Sequence, residues 1–189
     1  MSLKAAAIEA AHLIDRLERL ARLSDSDLNP AQWEALRYLD RANRFSRTPA
    51  ALADYLASTR GTVSQTLIAL EGKGYVDRQQ NARDGRSIDV ALTALGRRAL
   101  AHDPLMLLAK DIQDAAGGHL EQLLENLRDT LKSAIGRNNG KAFGVCKTCC
   151  HFRSDVRPGA RSPNWCALLE APLSDADSLA ICVEHVAAE

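Results

Sequence analysis

Apolar residues recur at helical spacing over most of the first 135 positions. The first stretch covers residues 3–21 and stops before Ser24-Asp25-Ser26, which predicts a long amphipathic first helix. Asn29, Pro30 and Gln32 have the order of an N-cap, an N1 proline and a capping-box partner, and they predict the start of a second helix. Thr48-Pro49 has the same kind of start signal for a short third helix.

The fourth predicted helix is capped by Thr59 and ends at Gly72-Lys73-Gly74. Its apolar positions Val63, Leu67 and Leu70 are spaced four and three residues apart, so they define one buried face. The remaining polar and small residues of its first half then point outward: Arg60, Gly61, Thr62, Ser64 and Gln65.

A β-hairpin is predicted after this helix. The apolar residues Ile88, Val90 and Leu92 alternate with polar ones, and Asp84-Gly85 is a turn signal between this strand and the one before it. Thr93 then opens a further helix, and the helical pattern continues to residue 135 with breaks near Pro104 and at Gly117-Gly118.

These elements predict a mainly α fold with a small β-hairpin wing, namely a winged helix-turn-helix, to which the C-terminal cysteines add a small metal-stapled module. We expect a domain over residues 1–136, a linker over 137–145 and a cysteine-rich tail over 146–189. A winged helix-turn-helix places a helix in the major groove, where its N-terminal half meets base edges and its amides favour phosphate. The sequence therefore predicts binding to double-stranded DNA.

Charge is distributed unevenly along a chain whose formal net charge is zero. Residues 41–100 hold ten basic and five acidic residues, whereas the tail from Cys146 holds four basic and six acidic ones. The middle third is therefore the part that attracts nucleic acid. Only 4% of the residues are aromatic, which argues against modules that stack unpaired bases.

The composition is that of a globular protein, with 46% hydrophobic and 25% charged residues. Charged residues such as Glu9 and Asp15 interrupt the N-terminal stretch, so we expect no signal peptide, no membrane span and a cytoplasmic location. We expect no enzyme, because the sequence contains no Ser/His/Asp set, phosphate-binding glycine loop or paired-carboxylate motif.

All five cysteines fall in the last 44 residues. In a reducing compartment such clustering favours metal ligation over disulfides. Cys146 and Cys149 form a C-x2-C pair, Cys166 follows after sixteen residues and Cys182 after fifteen more. Four thiolates suit either tetrahedral Zn²⁺ or the corners of an iron–sulfur cluster. A tail of this length cannot bury enough apolar surface to fold alone, so a metal staple has a structural reason to exist.

The four cysteines leave alternative ligands nearby. His151 and His185 are candidates for a mixed zinc site with Cys182-x-x-His185 as its second knuckle. Cys150 is interpreted as a spare ligand, a redox-active thiol or a small buried residue.

The segment LASTRGTVSQTLIALEGKGYVDR, followed by ARDGRSIDVALTALGRRAL, resembles the MarR family of transcription regulators. The resemblance covers roughly residues 1–136. It implies that residues 59–65 lie on a DNA recognition helix and that the basic wing tip contacts DNA through Arg83, Asp84 and Arg86, with Arg86 in the minor groove. It also implies a homodimer, with the first helix and the helices of residues 94–135 at the interface. Trp33 and Tyr38 are candidates for the lining of a small-molecule effector crevice, although their helical spacing favours core packing.

The tail has a second resemblance. Phe152 after the C-x2-C pair and Trp165 before the third cysteine make the tail similar to high-potential iron–sulfur proteins and to small cluster-binding subunits of some glycyl-radical enzymes. Those proteins hold a [4Fe–4S] cluster with four cysteines. The resemblance implies a [4Fe–4S] cluster on Cys146, Cys149, Cys166 and Cys182, with Zn²⁺ as the alternative.

The leading functional hypothesis is a regulator, a repressor in particular, that reads a pseudo-palindromic operator as a homodimer and responds to redox, iron or oxygen through its tail. One alternative keeps the DNA function with a small-molecule effector and a purely structural zinc tail. Another makes the cluster an electron-transfer group and the winged helix a protein-docking scaffold.

Overall fold

The computed structural model describes residues 2–22, 27–81, 85 and 87–188. The wing-tip residues Arg83, Asp84 and Arg86 and the helix stop signal at residues 24–26 lie outside the described residues. The N-terminal part contains α1 (Leu3–Ala21), α2 (Pro30–Arg41), α3 (Pro49–Tyr55), α4 (Arg60–Gly72), β1 (Val76–Gln80), β2 (Ile88–Leu92), α5 (Ala94–Leu100), α6 (Leu105–Ala116) and α7 (Leu120–Arg137). This order confirms the predicted winged helix arrangement.

The helices begin at the residues whose side chains satisfy their first backbone amides. Asn29 accepts from the Gln32 amide at 2.9 Å, and the Gln32 side chain accepts from the Asn29 amide at 3.1 Å, which completes the predicted capping box. Thr48, Thr59 and Thr93 cap α3, α4 and α5 in the same way. These caps fix the register of each helix and hence the face that it buries.

The core of the DNA-binding part lies between α2, α3, α4 and the hairpin. Val63, Leu67 and Leu70 are buried as their spacing predicted, and Leu36 and Leu52 pack with them. Trp33 and Tyr38 belong to the same buried cluster. The effector-crevice interpretation of these two aromatic residues is therefore not supported, and core packing accounts for them.

The hairpin pairs β1 with β2 in antiparallel register, from Val76 opposite Leu92 to Gln80 opposite Ile88. Its base is locked to α5 by Thr93 and Gly96. The Thr93 hydroxyl donates to the Gly74 carbonyl at 2.7 Å, and a Cβ added at Gly96 would lie 2.3 Å from the Tyr75 carbonyl oxygen. Only glycine allows α5 to pass this close to the strand, so the direction of the wing relative to α5 is fixed.

Three helices leave an apolar face uncovered. None of the described residues of α1, α6 or α7 is buried, although α1 packs against α6 and α6 against α7. Large apolar side chains stay exposed along them: Ile8, Leu13, Ile14, Leu17, Leu20, Met106, Leu107, Leu124, Leu127 and Leu131. Within the described ranges, no helix is both long and apolar enough to cross a membrane.

The end of the predicted linker and the cysteine tail form short strands, a 3-10 turn and a short helix: β3 (Gly144–Val145), the 3-10 turn (Cys146–Thr148), β4 (Phe152–Arg153), β5 (Asn164–Cys166), β6 (Ala171–Leu173), α8 (Asp175–Ser178) and β7 (Ile181–Cys182). Strand β3 pairs with β7, and β4, β5 and β6 form a second sheet. The tail is not detached from the DNA-binding part, because Ile181 is buried in the core formed by α2, α3 and α4. Phe143, just before β3, packs edge-on against Tyr38 and Tyr55.

Candidate functional site

The first half of α4 presents a polar surface to solvent. Thr59, Arg60, Gly61, Thr62 and Gln65 are exposed and Ser64 is half-buried. The helix is held from the opposite side by its buried apolar residues. The predicted recognition surface is therefore outward-facing on a helix whose orientation is set by the core.

Two hydroxyls of this surface are already ordered by the helix itself. Thr59 Oγ1 accepts from the Thr62 amide at 3.1 Å and lies 2.8 Å from Thr62 Oγ1. Because each hydroxyl has further hydrogen-bonding capacity, both remain able to meet a phosphate or a base edge. Their positions are fixed before any partner binds, which lowers the entropy cost of recognition.

The base of the wing is described, whereas most of its tip is not. Gln80 donates from its side-chain amide to the Gly85 carbonyl, and the Arg78 guanidinium pairs with Glu71 at 2.9 Å. Arg78 is thereby tied to the end of α4 and its charge is partly neutralised. The predicted DNA contacts of Arg83, Asp84 and Arg86 stay predictions.

The four cysteines of the predicted metal site meet at one place in the tail. Cys146, Cys149, Cys166 and Cys182 all line a single cavity, together with His151, Glu184 and three apolar side chains: Phe152, Leu168 and Leu173. All five cysteines, each within the described residues, are free thiols. We call this space the cysteine cavity. The chain thus brings together the residues that the sequence spacing singled out.

Two of the thiols in the cysteine cavity are strongly coupled. A hydrogen bond from the Cys146 thiol lowers the pKa of Cys182 to about 6, against the opposing effect of burial. The side chains of Asn43 and Ser46 and the backbone N–H of Glu184 lower this pKa further. The same hydrogen bond to Cys182 and burial raise the pKa of Cys146. The pair therefore favours one negative charge, held on Cys182 while Cys146 keeps its proton and donates the hydrogen bond.

A single metal ion and an iron–sulfur cluster require different spacings of their ligands. Among the described residues, no group of three or more His, Cys, Asp or Glu is close enough to hold one metal ion. A single Zn²⁺ needs four donors within about 2.3 Å of one point, whereas a [4Fe–4S] cluster takes its cysteines at separate corners and so spaces them more widely. The [4Fe–4S] cluster and its zinc alternative both stay predictions, since four thiolates suit either group.

The alternative ligands are separated by the structure. His151 lines the cysteine cavity, whereas Cys150 and His185 are not part of its lining. His185 Nε2 instead lies 3.0 Å from the Thr148 hydroxyl. The predicted second knuckle of Cys182 and His185 is therefore not formed in this arrangement.

The sequence pattern did not identify Asn43 and Ser46 as site residues, although both contact the cysteine site from the N-terminal part of the chain. Asn43 Nδ2 donates to Cys146 Sγ at 3.3 Å, and Ser46 Oγ accepts from the Val183 amide at 2.9 Å. Both are short polar residues between two helices, which by pattern alone indicates an ordinary turn. No local signal points to partners that lie more than 100 residues away in sequence.

Comparison with known proteins finds similarity in the N-terminal part of the chain. Residues 26–87 match the MarR family, a range that holds the predicted helix-turn-helix and most of the wing. No curated protein matches the chain.

Solved structures share the fold. The transcriptional regulator PA4135 is 26% identical with a TM-score of 0.53, and covers 70% of this chain and 97% of its own. A MarR transcriptional regulator from Methanosarcina mazei Go1 is 21% identical with a TM-score of 0.56, covering 68% and 97%. Streptococcus pneumoniae FabT is 23% identical with a TM-score of 0.51, covering 69% and 94%.

Each of these structures is matched over nearly its whole length, yet each leaves about 30% of this chain without a counterpart. The prediction of a non-enzymatic protein agrees with the family match, since regulators of this family act by binding DNA. Residues 26–87 thus resemble the MarR family, and the N-terminal part of the chain shares the winged helix fold of these solved structures.

Proposed function

We propose that the protein is a sequence-specific regulator of transcription, a repressor that binds a pseudo-palindromic operator as a homodimer. The observation that carries this proposal is the exposed polar first half of α4, held by a buried apolar face on a winged helix fold. Arg60 and Gln65 have the donors and acceptors that read base edges in the major groove. The solved FabT structure is itself a complex with DNA.

The electrostatics support the same surface. The excess of five positive charges over residues 41–100 coincides with the helix-turn-helix and the wing. Basic residues on this face neutralise phosphates and release counterions, which supplies much of the affinity for duplex DNA. The acidic tail makes the opposite contribution and is not proposed to contact DNA.

The homodimer is supported by the uncovered apolar faces of α1, α6 and α7. Side chains such as Leu13, Leu17 and Leu131 are 40–60% exposed, and together they form an apolar surface that water disfavours. A second copy related by two-fold symmetry covers this surface with the same residues. Such a dimer presents two recognition helices to half-sites about one helical turn apart, roughly 10 bp.

The DNA proposal is tested by selecting duplexes from a random library and measuring binding by fluorescence anisotropy over a range of salt. Arg60→Ala should weaken binding to the selected duplex by about 10-fold and relax its specificity. Arg137→Ala removes an equal charge from the exposed end of α7 and serves as the matched control. Loss of affinity that is equal in the two variants would contradict the assigned surface, and failure to bind any duplex would favour the electron-transfer alternative.

The sign of regulation is tested separately. A repressor bound at its operator excludes RNA polymerase, so added protein should lower run-off transcription from a promoter that contains the selected duplex. Increased transcription would identify an activator instead.

We further propose that the cysteine cavity holds a [4Fe–4S] cluster on Cys146, Cys149, Cys166 and Cys182, and that the regulator responds to redox state, iron or oxygen through it. The support is the convergence of these four thiols among apolar side chains. When bound, the cluster supplies an oxidation state or an occupancy that changes with the environment. The apolar lining by Phe152, Leu168 and Leu173 limits the access of water to it.

The metal is tested by anaerobic purification, metal and sulfide analysis and absorption spectroscopy. Cys166→Ser should abolish binding of the group, whereas Cys150→Ser should leave it intact because Cys150 does not line the cavity. Equal loss in both variants would refute the ligand set. One zinc per chain without sulfide would replace the cluster by the structural zinc alternative.

A further inference from the structure

The segment between α2 and α3, residues 42–48, lies directly against the strand that carries Cys182. We call this segment the α2–α3 corner. Ala42 forms a parallel bridge with Ile181, and the Asn43 amide donates to the Ile181 carbonyl at 2.8 Å. On the other side of Cys182, the Val183 amide donates to Ser46 Oγ. The corner therefore holds the chain on both sides of one proposed ligand.

The side chain of Asn43 makes a second, direct contact with the site. It is 1% exposed, its Nδ2 donates to Cys146 Sγ at 3.3 Å and its Oδ1 accepts from the Phe45 amide at 3.0 Å. A buried amide donor needs an acceptor, and a thiolate is a stronger acceptor than a thiol. Asn43 is thus fixed by its own corner in the orientation that a metal-bound sulfur at Cys146 would use.

The same corner is joined to the elements that bind DNA. The Tyr38 hydroxyl donates to the Ser46 carbonyl at 2.7 Å, and the Arg47 carbonyl accepts from the amide of Val90 in strand β2 of the hairpin at 2.8 Å. Thr48 caps α3, which packs against the recognition helix α4. A displacement of the corner therefore acts on the start of α3 and on the wing together.

We infer that Asn43 is a positioning residue for the proposed thiolate site and that the α2–α3 corner couples this site to the recognition helix. The inference rests on the proposed function, since it needs both a bound group and an operator. Chain connectivity along α7 offers another route, through the dimer helices. The contacts favour the corner, because Asn43 and Ser46 bond to the cysteine site itself.

The experiment compares operator affinity with and without the bound group in the full-length protein. Each sample is loaded anaerobically with ferrous iron and sulfide, or stripped with a chelator, and titrated with the duplex selected by the wild type. A coupling of ordinary size makes the operator affinities of the loaded and the stripped wild type differ by roughly 5- to 150-fold, and we call this the affinity ratio. Asn43→Ala should bring this ratio close to one and weaken retention of iron against chelator by about 10- to 100-fold.

Two further measurements separate coupling from damage to the fold. Insertion of two glycines after Asn139 loosens the connection between α7 and the tail and should leave the ratio unchanged. The amide hydrogen-exchange rates of Ile181 and Val183 should be higher in stripped Asn43→Ala than in the stripped wild type, while the amides of α4 stay protected in both.

The outcomes are distinct for the two proposals. If the wild type binds the group and shows the ratio, but Asn43→Ala keeps both the ratio and the iron retention, this inference is overturned and the proposed function stands. Loss of the ratio in the glycine insertion alone overturns it in favour of α7. A wild type that binds neither iron nor zinc refutes the metal proposal, and this inference with it.

Discussion

The ion pair between Arg37 and Asp103 should be the most sensitive point in the link between α6 and α2. Arg37 in α2 donates from Nε and Nη2 to the two carboxylate oxygens of Asp103 at 2.7 and 2.6 Å. Asp103 is 4% exposed and also accepts from the Leu105 amide at the start of α6 at 2.9 Å. The pair thus ties the first turn of α6 to α2.

Replacement of Arg37 by methionine keeps an apolar stem but leaves the Asp103 carboxylate buried without its cation. Breaking a fully buried ion pair costs about 3–5 kcal/mol. The Arg37 side chain is 23% exposed, so water replaces part of the lost interaction. We therefore expect the free energy of unfolding to fall by about 2–3 kcal/mol at pH 7. Arg41→Met, one turn further along α2 at an exposed position, is the control and should change it by less than about 0.5 kcal/mol.

The pH dependence gives a second signature of the same pair. Burial opposes ionisation of Asp103, but hydrogen bonds from Arg37 and the Leu105 amide outweigh it and hold the pKa of Asp103 below its ordinary value. A carboxylate with a lowered folded-state pKa contributes stability above its unfolded pKa of about 3.9, and this contribution is lost as the pH falls through the folded value. Without Arg37, burial raises the pKa of Asp103 and acid relieves the penalty. The difference in free energy of unfolding between the wild type and Arg37→Met should therefore become smaller as the pH falls from 7 toward 3.

The assay is urea unfolding at fixed protein concentration, followed by circular dichroism at pH 7, 5 and 3. Asp103→Asn in the Arg37→Met background should recover part of the lost stability, because the amide is neutral and its oxygen still accepts from Leu105. The reasoning is refuted if the free energies of unfolding of the wild type and Arg37→Met differ equally at pH 7 and pH 3, or if they differ by less than about 0.5 kcal/mol at pH 7.

Further predictions concern DNA, the helix caps and the dimer. Arg86→Ala should weaken binding to selected and random duplexes alike and make the salt dependence of binding shallower, whereas Gln65→Ala should mainly reduce discrimination between the two duplexes. Anisotropy titrations at several salt concentrations measure both effects. Equal loss of discrimination in the two variants would contradict this division of roles. Thr93→Ala removes the α5 cap and the bond to the Gly74 carbonyl, and should lower the urea-derived free energy of unfolding by about 1–2 kcal/mol. Leu17→Glu should give monomers in sedimentation velocity, whereas a stable dimer would exclude α1 from the interface.

The sequence predicted most of what depends on neighbouring residues. The order Asn29, Pro30, Gln32 predicts a helix start because all three groups act within one turn, and the structure confirms the capping box. The spacing of Val63, Leu67 and Leu70 predicts a buried face, which in turn decides that Arg60 and Gln65 point outward. The exposure of this polar surface was predictable because the buried face of α4 is determined by residues within the same helix, and the remaining side chains must face outward.

What the sequence did not predict depends on contacts between distant parts of the chain. Tyr38 has the spacing of a core residue and also a polar group suited to a binding crevice, and only the packing of Phe143 and the hydrogen bond to the Ser46 carbonyl decide for the core. The partner of Asn43 lies 103 residues away. No periodicity within one segment encodes such a contact, so the docking of the tail was not predictable.

The docking of the tail changes the physical role expected of a bound metal group. A tail of 44 residues cannot bury a sufficient core alone, which gives the predicted metal staple a structural reason to exist. The structure adds a second source of stability, since Ile181 is buried in the core of the DNA-binding part and the α2–α3 corner bonds to the strand around Cys182. Loss of the proposed group would then remove its bonds to the four sulfurs without removing this shared core. The proposed reversible sensing needs a tail that stays attached when the site is empty, so that the corner can change its arrangement, whereas a purely structural staple has no such requirement.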